Sequence, residues 1–216
     1  KLLPPLEGQK VLMLGCGTGE ESVMLEVQGA KELVGIDLSV ESINLAKKTY
    51  PKHTFIGGDM HQLDFSEATF DFVYSSLAIH YSAEPLRVYQ EVFRVLKPGG
   101  LLLCSLVHPL RWASERIKIE GVSVKVLGFS EDKDHPRLYG SYSNFTQHEE
   151  HWPTGEILCF WVGAPSFHFR LLQKTGFVVE KFVESQAIKE CKQVDPYYFE
   201  RYGEFPQFMA FLSRKV

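Results

Sequence analysis

The sequence predicts an α/β fold in which a mostly parallel sheet is covered by helices on both faces. Short apolar segments of strand length alternate with segments whose apolar residues recur at helical spacing, and glycine or proline separates most of them. The chain has 216 residues, of which 44% are hydrophobic and 23% are charged, as expected for one ordinary globular domain. Alternation of strands and helices favours right-handed crossovers and hence a parallel sheet.

The first half of the chain contains five predicted strands. They lie at Lys10–Gly15, Glu32–Asp37, His53–Gly57, Phe70–Ser75 and Leu101–Val107. After Lys10 the first segment is apolar and ends in glycine, which is typical of a strand buried on both faces of a sheet.

Helices are predicted between these strands. The first, Glu20–Gln28, places three apolar side chains on one face, namely Val23, Met24 and Val27. The second, Val40–Tyr50, follows Ser39 as its N-cap. The third begins at Pro85 and ends before the turn Lys97-Pro-Gly-Gly100.

The second half departs from this alternation and then returns to it. Residues 108–165 mix glycine, charge and aromatic side chains, with two predicted strands at Val122–Phe129 and Ile157–Val162. A structureless loop of this length is unusual, so we expect an inserted lid or substrate-binding segment within a single domain, 1–216. Beyond it we predict a helix at Ser166–Thr175 and strands at Phe177–Glu184 and Phe208–Leu212.

Composition excludes several classes of protein. The formal net charge of -4 disfavours a nucleic-acid substrate, because proteins that neutralise phosphates are usually basic. No apolar run approaches the roughly 20 residues that span a bilayer, so we expect a cytoplasmic protein without a membrane partner. The four cysteines form no CxxC pair and are expected to be reduced, buried thiols.

A glycine-rich turn follows the first predicted strand. Its sequence, Gly15-Cys16-Gly17-Thr-Gly19-Glu20, has G-x-G-x-G spacing, whereas a dinucleotide site prefers G-x-G-x-x-G. An acidic residue at the start of a helix would repel a pyrophosphate but tolerate an ammonium group. The turn therefore favours a cofactor that carries an amino acid.

Asp37 ends the second predicted strand, 18 positions after Gly19 (37 minus 19). A carboxylate there can accept hydrogen bonds from both hydroxyls of a ribose. The alternative is that Asp37 only caps the next helix.

Four motifs in this order resemble those of class I S-adenosylmethionine-dependent methyltransferases of the small-molecule type. They are Val11-Leu-Met-Leu-Gly15-Cys-Gly-Thr-Gly19, Gly35-Ile-Asp-Leu-Ser39, Gly58-Asp-Met60 and Phe70-Asp-Phe-Val-Tyr-Ser75. The resemblance implies a Rossmann-like three-layer sandwich with a mostly parallel seven-stranded sheet, an antiparallel last strand and an insert after the fifth strand. It implies S-adenosyl-L-methionine as cofactor and S-adenosyl-L-homocysteine as product.

The resemblance also implies a set of cofactor-binding residues. The three glycines would line the methionine part, Asp37 the ribose, Asp59 and Met60 the adenine, and two serines the sulfonium. The full set is Gly15, Cys16, Gly17, Gly19, Asp37, Leu38, Asp59, Met60, Ser75 and Ser76. Met60 is alternatively a core residue.

Two histidines at the ends of the fourth and fifth predicted strands are candidate general bases. His80 and His108 would face the crevice where ligands of open α/β sheets bind, and histidine is the usual base for a hydroxyl or amine acceptor. Each alternatively caps a helix or satisfies a backbone carbonyl.

The insert contains two further patterns. His148-Glu-Glu-His151 lacks the i, i+4 histidine spacing of a zinc helix, so we predict no metal site there and interpret it as a solvated polar turn. Aromatic residues would either cover the reacting groups or form a small core of the insert. These are Trp112, Tyr139, Tyr142, Phe145, Trp152, Phe160 and Trp161.

The leading hypothesis is therefore a methyltransferase that acts on a small-molecule acceptor. A non-catalytic S-adenosylmethionine-binding module that acts through a protein partner remains the alternative. A nicotinamide-dependent oxidoreductase is disfavoured by the glycine spacing and by the lack of a Tyr-x-x-x-Lys pair. The acceptor, the methylated atom and the oligomeric state stay open at this point.

Overall fold

A computed structural model of the chain describes residues 2–151 and 155–216. Its contacts divide it into two compact units. The first contains the residues up to Leu106 together with Phe169–Val183 and Ala210–Val216. The second contains Val107–His168 and Glu184–Met209.

The described residues form strands and helices in alternation through the first half of the chain. The strands are β1 Lys10–Leu14, β2 Glu32–Asp37, β3 Thr54–Gly57, β4 Phe70–Ser76, β5 Leu96–Val107, β6 Glu115–Ile119, β7 Val122–Val126, β8 Gly128–Phe129, β9 Leu138–Tyr139, β10 Thr146–His151, β11 Ile157–Val162, β12 Phe177–Glu184 and β13 Phe208–Lys215. The helices are α1 Glu21–Val27, α2 Val40–Thr49, α3 Pro85–Val95, α4 Pro109–Ala113, α5 Pro165–Thr175, α6 Cys191–Val194 and α7 Pro196–Tyr202, with a 3-10 turn at Ile79–Tyr81.

A seven-stranded sheet in the order β12-β13-β5-β4-β1-β2-β3 is the centre of the first unit. The pairs β1–β2, β2–β3, β1–β4 and β4–β5 are all parallel. Parallel strands with helical crossovers bury both faces of their sheet, which is why Val11, Leu12, Met13 and Leu14 are all inaccessible to solvent. The predicted α/β class and parallel sheet are confirmed.

The last strand runs antiparallel to its neighbour β5. Just beyond the end of β5, the N–H of His108 donates to the carbonyl of Gln207, which precedes β13 (2.8 Å). Near the other end of β13, the guanidinium of Arg214 donates to the carbonyl of Gly99 near the start of β5 (2.7 Å). The predicted antiparallel last strand is therefore confirmed.

Strand β5 begins earlier than its sequence indicates. The turn predicted at Lys97–Gly100 lies inside the strand, and the β4–β5 register shifts between the pairs Phe70–Leu96 and Phe72–Leu101. Gly99 has a φ of 79°, which lets the chain bend without ending the pairing.

The buried face of α1 is not the one that the apolar pattern indicates. Val23, Met24 and Val27 are exposed by 48%, 40% and 77%, and the helix buries Ser22 and Leu25 instead. The neighbouring helix agrees with its prediction, because Ser39 caps α2 by accepting a hydrogen bond from the N–H of Ser42.

The second unit consists of short elements. Three antiparallel strand pairs, β6–β7, β8–β9 and β10–β11, are joined by loops, and α4, α6 and α7 accompany them. This unit contains all described residues of the predicted insert, 108–165, and also residues 184–209, for which the sequence analysis predicted no helix.

Two expectations about this unit are wrong. The segment His148–His151 is part of β10 and not a turn, because its polar residues alternate between a half-buried and an exposed face. The side chains of His148 and His151 thus point to opposite faces of a strand. Cys159 lies on the exposed side of β11 and Cys191 is partly exposed, so only Cys16 and Cys104 are buried thiols.

In the described part of the chain, no helix has the length and apolar character needed to cross a bilayer.

Candidate functional site

The carboxyl ends of the parallel strands form one edge of the sheet, and most of the predicted cofactor residues follow these ends. Strands β1, β2, β3 and β4 end at Leu14, Asp37, Gly57 and Ser76. Ligands of open α/β sheets bind outside this edge. The topology therefore brings the glycine turn, Asp37 and Asp59 to one side of the first unit.

The turn after β1 requires glycine at two positions for different reasons. Gly15 has a φ of 68°, and a Cβ added there would lie 2.3 Å from the Cβ of Ala78. Gly17 has a φ of 51°, yet a Cβ added there would meet no atom within 4 Å. Gly15 therefore makes room for the side chain of Ala78, whereas Gly17 faces open space that a ligand can occupy.

Asp37 connects the glycine turn to the start of α2. Its Oδ2 accepts a hydrogen bond from the N–H of Gly17 at 2.8 Å, and its Oδ1 accepts from the N–H of Ser39 at 2.9 Å. Each carboxylate oxygen can accept a second hydrogen bond. Because Asp37 is only half-buried, a ribose could supply those donors.

The ends of β2 and β3 bring the predicted adenine residues together. Asp37 pairs with Gly57 in register, and the N–H of Gly58 donates to the carbonyl of Asp37 at 3.0 Å. Leu38 follows on one strand and is 68% exposed. Asp59 and the half-buried Met60 follow on the other. An exposed apolar side chain beside a carboxylate suits a flat ring with an amino group.

The side chain of Asp59 is held by His61, a residue that the sequence analysis missed. Oδ1 of Asp59 accepts from the backbone N–H of His61 at 2.8 Å and lies 2.6 Å from its Nδ1. The hydrogen bond from the His61 backbone holds the pKa of Asp59 below its ordinary value. The other ring nitrogen of His61, Nε2, lies 2.6 Å from Oγ of Ser82.

Helix α3 fixes the loop that carries these residues. Glu91 accepts a hydrogen bond from the N–H of Leu63 at 2.8 Å. Arg94 donates to the carbonyls of Leu63 and Phe65 at 2.7 and 2.6 Å. Arg87 donates to the carbonyl of His61 at 3.1 Å. The loop after β3 is therefore anchored at His61 and at two residues that follow it, Leu63 and Phe65.

The end of β4 contains the two serines predicted beside the sulfonium. Ser75 is buried, and its hydroxyl donates to the carbonyl of Leu14 at 3.2 Å, whereas Ser76 is half-buried. The next residue, Leu77, has a left-handed backbone with a φ of 49°, which is uncommon for leucine. Its N–H donates to the carbonyl and the hydroxyl of Ser105 on β5. Backbone strain of this kind often accompanies functional sites.

His80 lies in the 3-10 turn that follows β4 and is 6% exposed. Burial lowers the pKa of His80 from 6.5 to about 4, because desolvation penalises the charged imidazole. The ring packs against Tyr81, with 4.4 Å between ring centroids. His80 is therefore a neutral side chain near pH 7, and its role as a base stays a prediction.

His108 belongs to the second unit, and both of its ring nitrogens have partners there. Nδ1 accepts a hydrogen bond from the N–H of Leu110 and so caps α4, and Nε2 lies 2.8 Å from Oε1 of Glu184. Since Nδ1 accepts, the neutral ring carries its proton on Nε2 and donates it to the carboxylate. This is the helix-capping role that the sequence left open, and a catalytic role for His108 stays a prediction.

Cys16 is enclosed between the glycine turn and β2. Its backbone N–H donates to the carbonyl of Ile36, and a Cβ added to Gly35 would lie 2.8 Å from its sulfur. Burial, with a smaller contribution from the charge of Asp37, raises the pKa of the Cys16 thiol to about 12. Cys16 therefore contributes its backbone and bulk to the turn and is not a nucleophile.

The aromatic residues of the insert form contacts within the second unit. Trp112 packs edge to face on Phe160 with centroids 4.7 Å apart, and His148 lies 5.8 Å from Trp112. Phe145 stacks on Phe167 at 4.5 Å. Trp152, predicted as part of this set, lies outside the described residues.

The same unit contains a cavity of about 870 Å³, which is within the size range of small-molecule sites. Its lining combines aromatic and charged side chains, among them Arg111, Trp112, Arg116, Lys125, Glu150 and Tyr202. The guanidinium of Arg111 and the ammonium of Lys125 lie over the Trp112 ring, at 4.8 and 5.3 Å from its centroid.

The geometry of the first unit fits a nucleoside that carries an amino acid. The open space at Gly17 suits a ligand close to the backbone, and Asp37 and Asp59 supply carboxylate oxygens near the ends of β2 and β3. These are the acceptors that ribose hydroxyls and an adenine amino group need.

Comparison with known proteins identifies the same region. Residues 12–104 match the family described as "Methyltransferase domain". The chain is 41% identical over 108 residues to an uncharacterized methyltransferase of Synechocystis, covering 49% of this chain and 50% of the relative. It is 36% identical over 104 residues to the demethylmenaquinone methyltransferase of Paenarthrobacter aurescens, covering 48% of this chain and 41% of that protein. The chain thus spans about half the length, or less, of these curated relatives.

The fold extends this similarity to the rest of the chain. An S-adenosylmethionine-dependent methyltransferase structure from Mesorhizobium loti superimposes with a TM-score of 0.81 and 24% identity, covering 99% of this chain and 94% of that one. The chain therefore matches the methyltransferase-domain family over residues 12–104, and it has the Rossmann-like α/β fold of the Mesorhizobium loti S-adenosylmethionine-dependent methyltransferase.

Proposed function

We propose that this chain binds S-adenosylmethionine at the carboxyl edge of its sheet and transfers the methyl group to a small-molecule acceptor. The observation that carries this proposal is the hydrogen bond between Gly17 and Asp37, which fixes a ligand-accessible backbone beside a half-buried carboxylate that can accept further hydrogen bonds. The relatives that share this half of the chain carry methyltransferase names, and this supports the same activity here.

In this proposal each part of the cofactor has its own residues. Gly15, Gly17 and Gly19 line the methionine part, and Asp37 accepts from the ribose hydroxyls. Leu38 and Met60 contact the adenine ring, and Asp59 accepts from its amino group. Ser75 and Ser76 lie nearest to the sulfonium, beside the strained backbone of Leu77.

The bound cofactor supplies an activated methyl group, so the protein's task is to orient the acceptor and exclude water. Orientation alone lowers such barriers by about 7 to 11 kcal/mol. A neutral histidine can also accept a proton from a hydroxyl or amine acceptor, and His80 is kept neutral by burial.

The net charge and the second unit both bear on the class of acceptor. A net charge of -4 does not suit a polyanionic substrate. The cavity beside Trp112 and Tyr202 has the volume of a small-molecule site and offers aromatic surface to a flat acceptor. These observations favour a metabolite-sized acceptor over nucleic acid.

Calorimetric titration of the chain with S-adenosylmethionine tests the cofactor, and no detectable heat at millimolar cofactor would contradict the proposal. Incubation with metabolite pools and the cofactor, followed by measurement of S-adenosylhomocysteine, tests turnover. Cofactor binding without product across such pools would favour a binding module that acts through a protein partner.

A further inference from the structure

Asp59, His61 and Ser82 form a continuous line of hydrogen bonds in the first unit. Nδ1 of His61 lies 2.6 Å from Oδ1 of Asp59, and Nε2 lies 2.6 Å from Oγ of Ser82. Oγ of Ser82 in turn accepts from the N–H of Glu84 at 2.9 Å. His61 and Ser82 are 21 positions apart in the sequence and β4 lies between them, so the fold and not local sequence creates this line.

The partners determine the direction of each hydrogen bond. A carboxylate can only accept, so Nδ1 of His61 carries the proton that it donates to Asp59. In the neutral ring Nε2 is then an acceptor, and it takes the hydroxyl proton of Ser82. Because Ser82 accepts from Glu84, every donor in the line points towards Asp59, and aligned hydrogen bonds strengthen one another.

The order serine, histidine, aspartate also occurs in hydrolytic active sites, but burial excludes a nucleophilic serine here. Ser82 is 1% exposed, and its hydroxyl is engaged by Glu84 as well as by His61. The accessible end of the line is the opposite one, since the Asp59 side chain is 51% exposed. Its Oδ1 receives both hydrogen bonds from His61, and Oδ2 accepts none from the described part of the chain.

We propose that His61 and Ser82 are positioning residues that hold Asp59 so that Oδ2 selects a purine with a 6-amino group over one with a 6-oxo group. This inference rests on the proposed cofactor function, because it concerns the residue that faces the adenine. An amino group donates to a fixed carboxylate oxygen, whereas a carbonyl in its place presents a second acceptor and is repelled. Selectivity therefore depends on Asp59 being unable to rotate away.

The test compares S-adenosylhomocysteine with S-inosylhomocysteine, which has a carbonyl at position 6, by calorimetric titration of the full chain. The wild-type chain is expected to prefer the adenosyl compound. His61→Leu is expected to reduce the ratio of the two dissociation constants by about tenfold or more, because the side-chain donor to Asp59 is lost and the backbone N–H of residue 61 alone cannot fix the carboxylate. His61→Asn is expected to retain most of the ratio, because its amide nitrogen can replace Nδ1 as the donor.

Two further variants complete the comparison. Ser82→Ala is expected to give a ratio between those of the wild-type chain and His61→Leu, and it serves the same purpose if His61→Leu does not fold. Thr69→Val, which removes a hydroxyl bonded to the exposed carbonyl of Ser66 nearby, is the matched control and should leave the ratio unchanged.

The outcomes separate this inference from the proposed function. A wild-type chain that binds neither compound contradicts the proposed function. A wild-type chain that discriminates, together with His61→Leu and Ser82→Ala variants that discriminate equally well, contradicts the positioning role alone. A general loss of stability would weaken both compounds in parallel and would not change the ratio.

Discussion

The backbone N–H of Gly17 donates to Oδ2 of Asp37 at 2.8 Å, across 20 residues of sequence. The other oxygen of the same carboxylate accepts from Ser39, which itself caps α2. One side chain thus sets the position of the glycine turn against the second crossover helix. A change at Asp37 should therefore affect a ligand in two ways, by removing its own acceptors and by releasing the turn.

Asp37→Ala is expected to weaken S-adenosylmethionine binding by roughly 1 to 3 kcal/mol, through lost hydrogen bonds to a charged acceptor. Calorimetric titration measures the change. Glu41→Ala is the control, since Glu41 is an exposed carboxylate in the first turn of α2 that accepts a hydrogen bond from the hydroxyl of Ser39 at 3.4 Å. Equal affinity in Asp37→Ala and wild-type chains would place the ribose elsewhere.

Gly15→Ala and Gly17→Ala form a matched pair with different expected effects. Both residues have a left-handed backbone, which costs an alanine about 1 kcal/mol. Only Gly15→Ala also places its Cβ 2.3 Å from Ala78, so this variant should show the larger drop in melting temperature. Gly17→Ala should stay folded and lose affinity for the cofactor, because its methyl group fills the ligand space.

Melting curves and cofactor titrations of the two glycine variants, run side by side, check this pair. If Gly17→Ala bound the cofactor as tightly as the wild-type chain, the turn would not be the methionine site. If Gly15→Ala melted at the same temperature as Gly17→Ala or higher, the contact with Ala78 would not destabilise the folded chain.

The buried His80 should make stability depend on pH between about 4 and 6.5. The pKa of His80 is lowered from 6.5 to about 4 in the folded chain, so within this window the unfolded chain binds more protons. The free energy of unfolding should therefore be unaffected by His80 above pH 6.5 and should fall as the pH drops towards 4. The full effect is about 3 kcal/mol, taken from the pKa difference.

Urea titrations of His80→Gln and wild-type chains at several pH values measure this dependence. The variant should show a shallower loss of stability on acidification. His135→Gln is the control, because His135 is 85% exposed and its Nδ1 lies 3.0 Å from Oδ2 of Asp132 at the surface. Parallel curves for His80→Gln and the wild-type chain would mean that the imidazole is not desolvated in the folded state.

The four cysteines should separate into two classes of reactivity. Burial raises the pKa of both Cys16 and Cys104 to about 12, so their thiols stay protonated and shielded at pH 8. Cys159 is exposed and Cys191 partly so. Labelling with a maleimide, followed by peptide mass spectrometry, should modify the latter two first. Early labelling of Cys16 in the folded chain would show that the glycine turn opens readily.

The sheet could be predicted from the sequence because its strands are buried on both faces. In β1 four consecutive apolar residues indicate a strand that is buried on both faces of the sheet. Such strands mark out the order of strand, turn and helix along the sequence. The same logic failed for α1, where three apolar side chains are exposed and Ser22 is buried. A short helix is oriented by the turn before it, and its own pattern was too weak to show which face is inward.

The places of the proposed cofactor residues at the strand ends could be predicted, because each follows a glycine or an apolar run. The line of hydrogen bonds from Ser82 through His61 to Asp59 could not be predicted. His61 and Ser82 lie on either side of β4 in the sequence and come together only in the folded chain. In the insert, His148–His151 looked like a turn because charged residues occupied both faces of the strand. Which residues of β10 are half-buried depends on its pairing with β11, and no pattern within β10 itself indicates that pairing.

The position of β13 between β12 and β5 has a consequence for how the chain is made. On a ribosome β12 emerges before β13, yet its place in the sheet exists only once β13 has docked against β5. During that interval β12 has no neighbouring strand in the sheet, and its backbone N–H and C=O groups are available to pair with another strand. A chain cut before Phe208 would therefore lose two strands from the sheet, although it lacks only one.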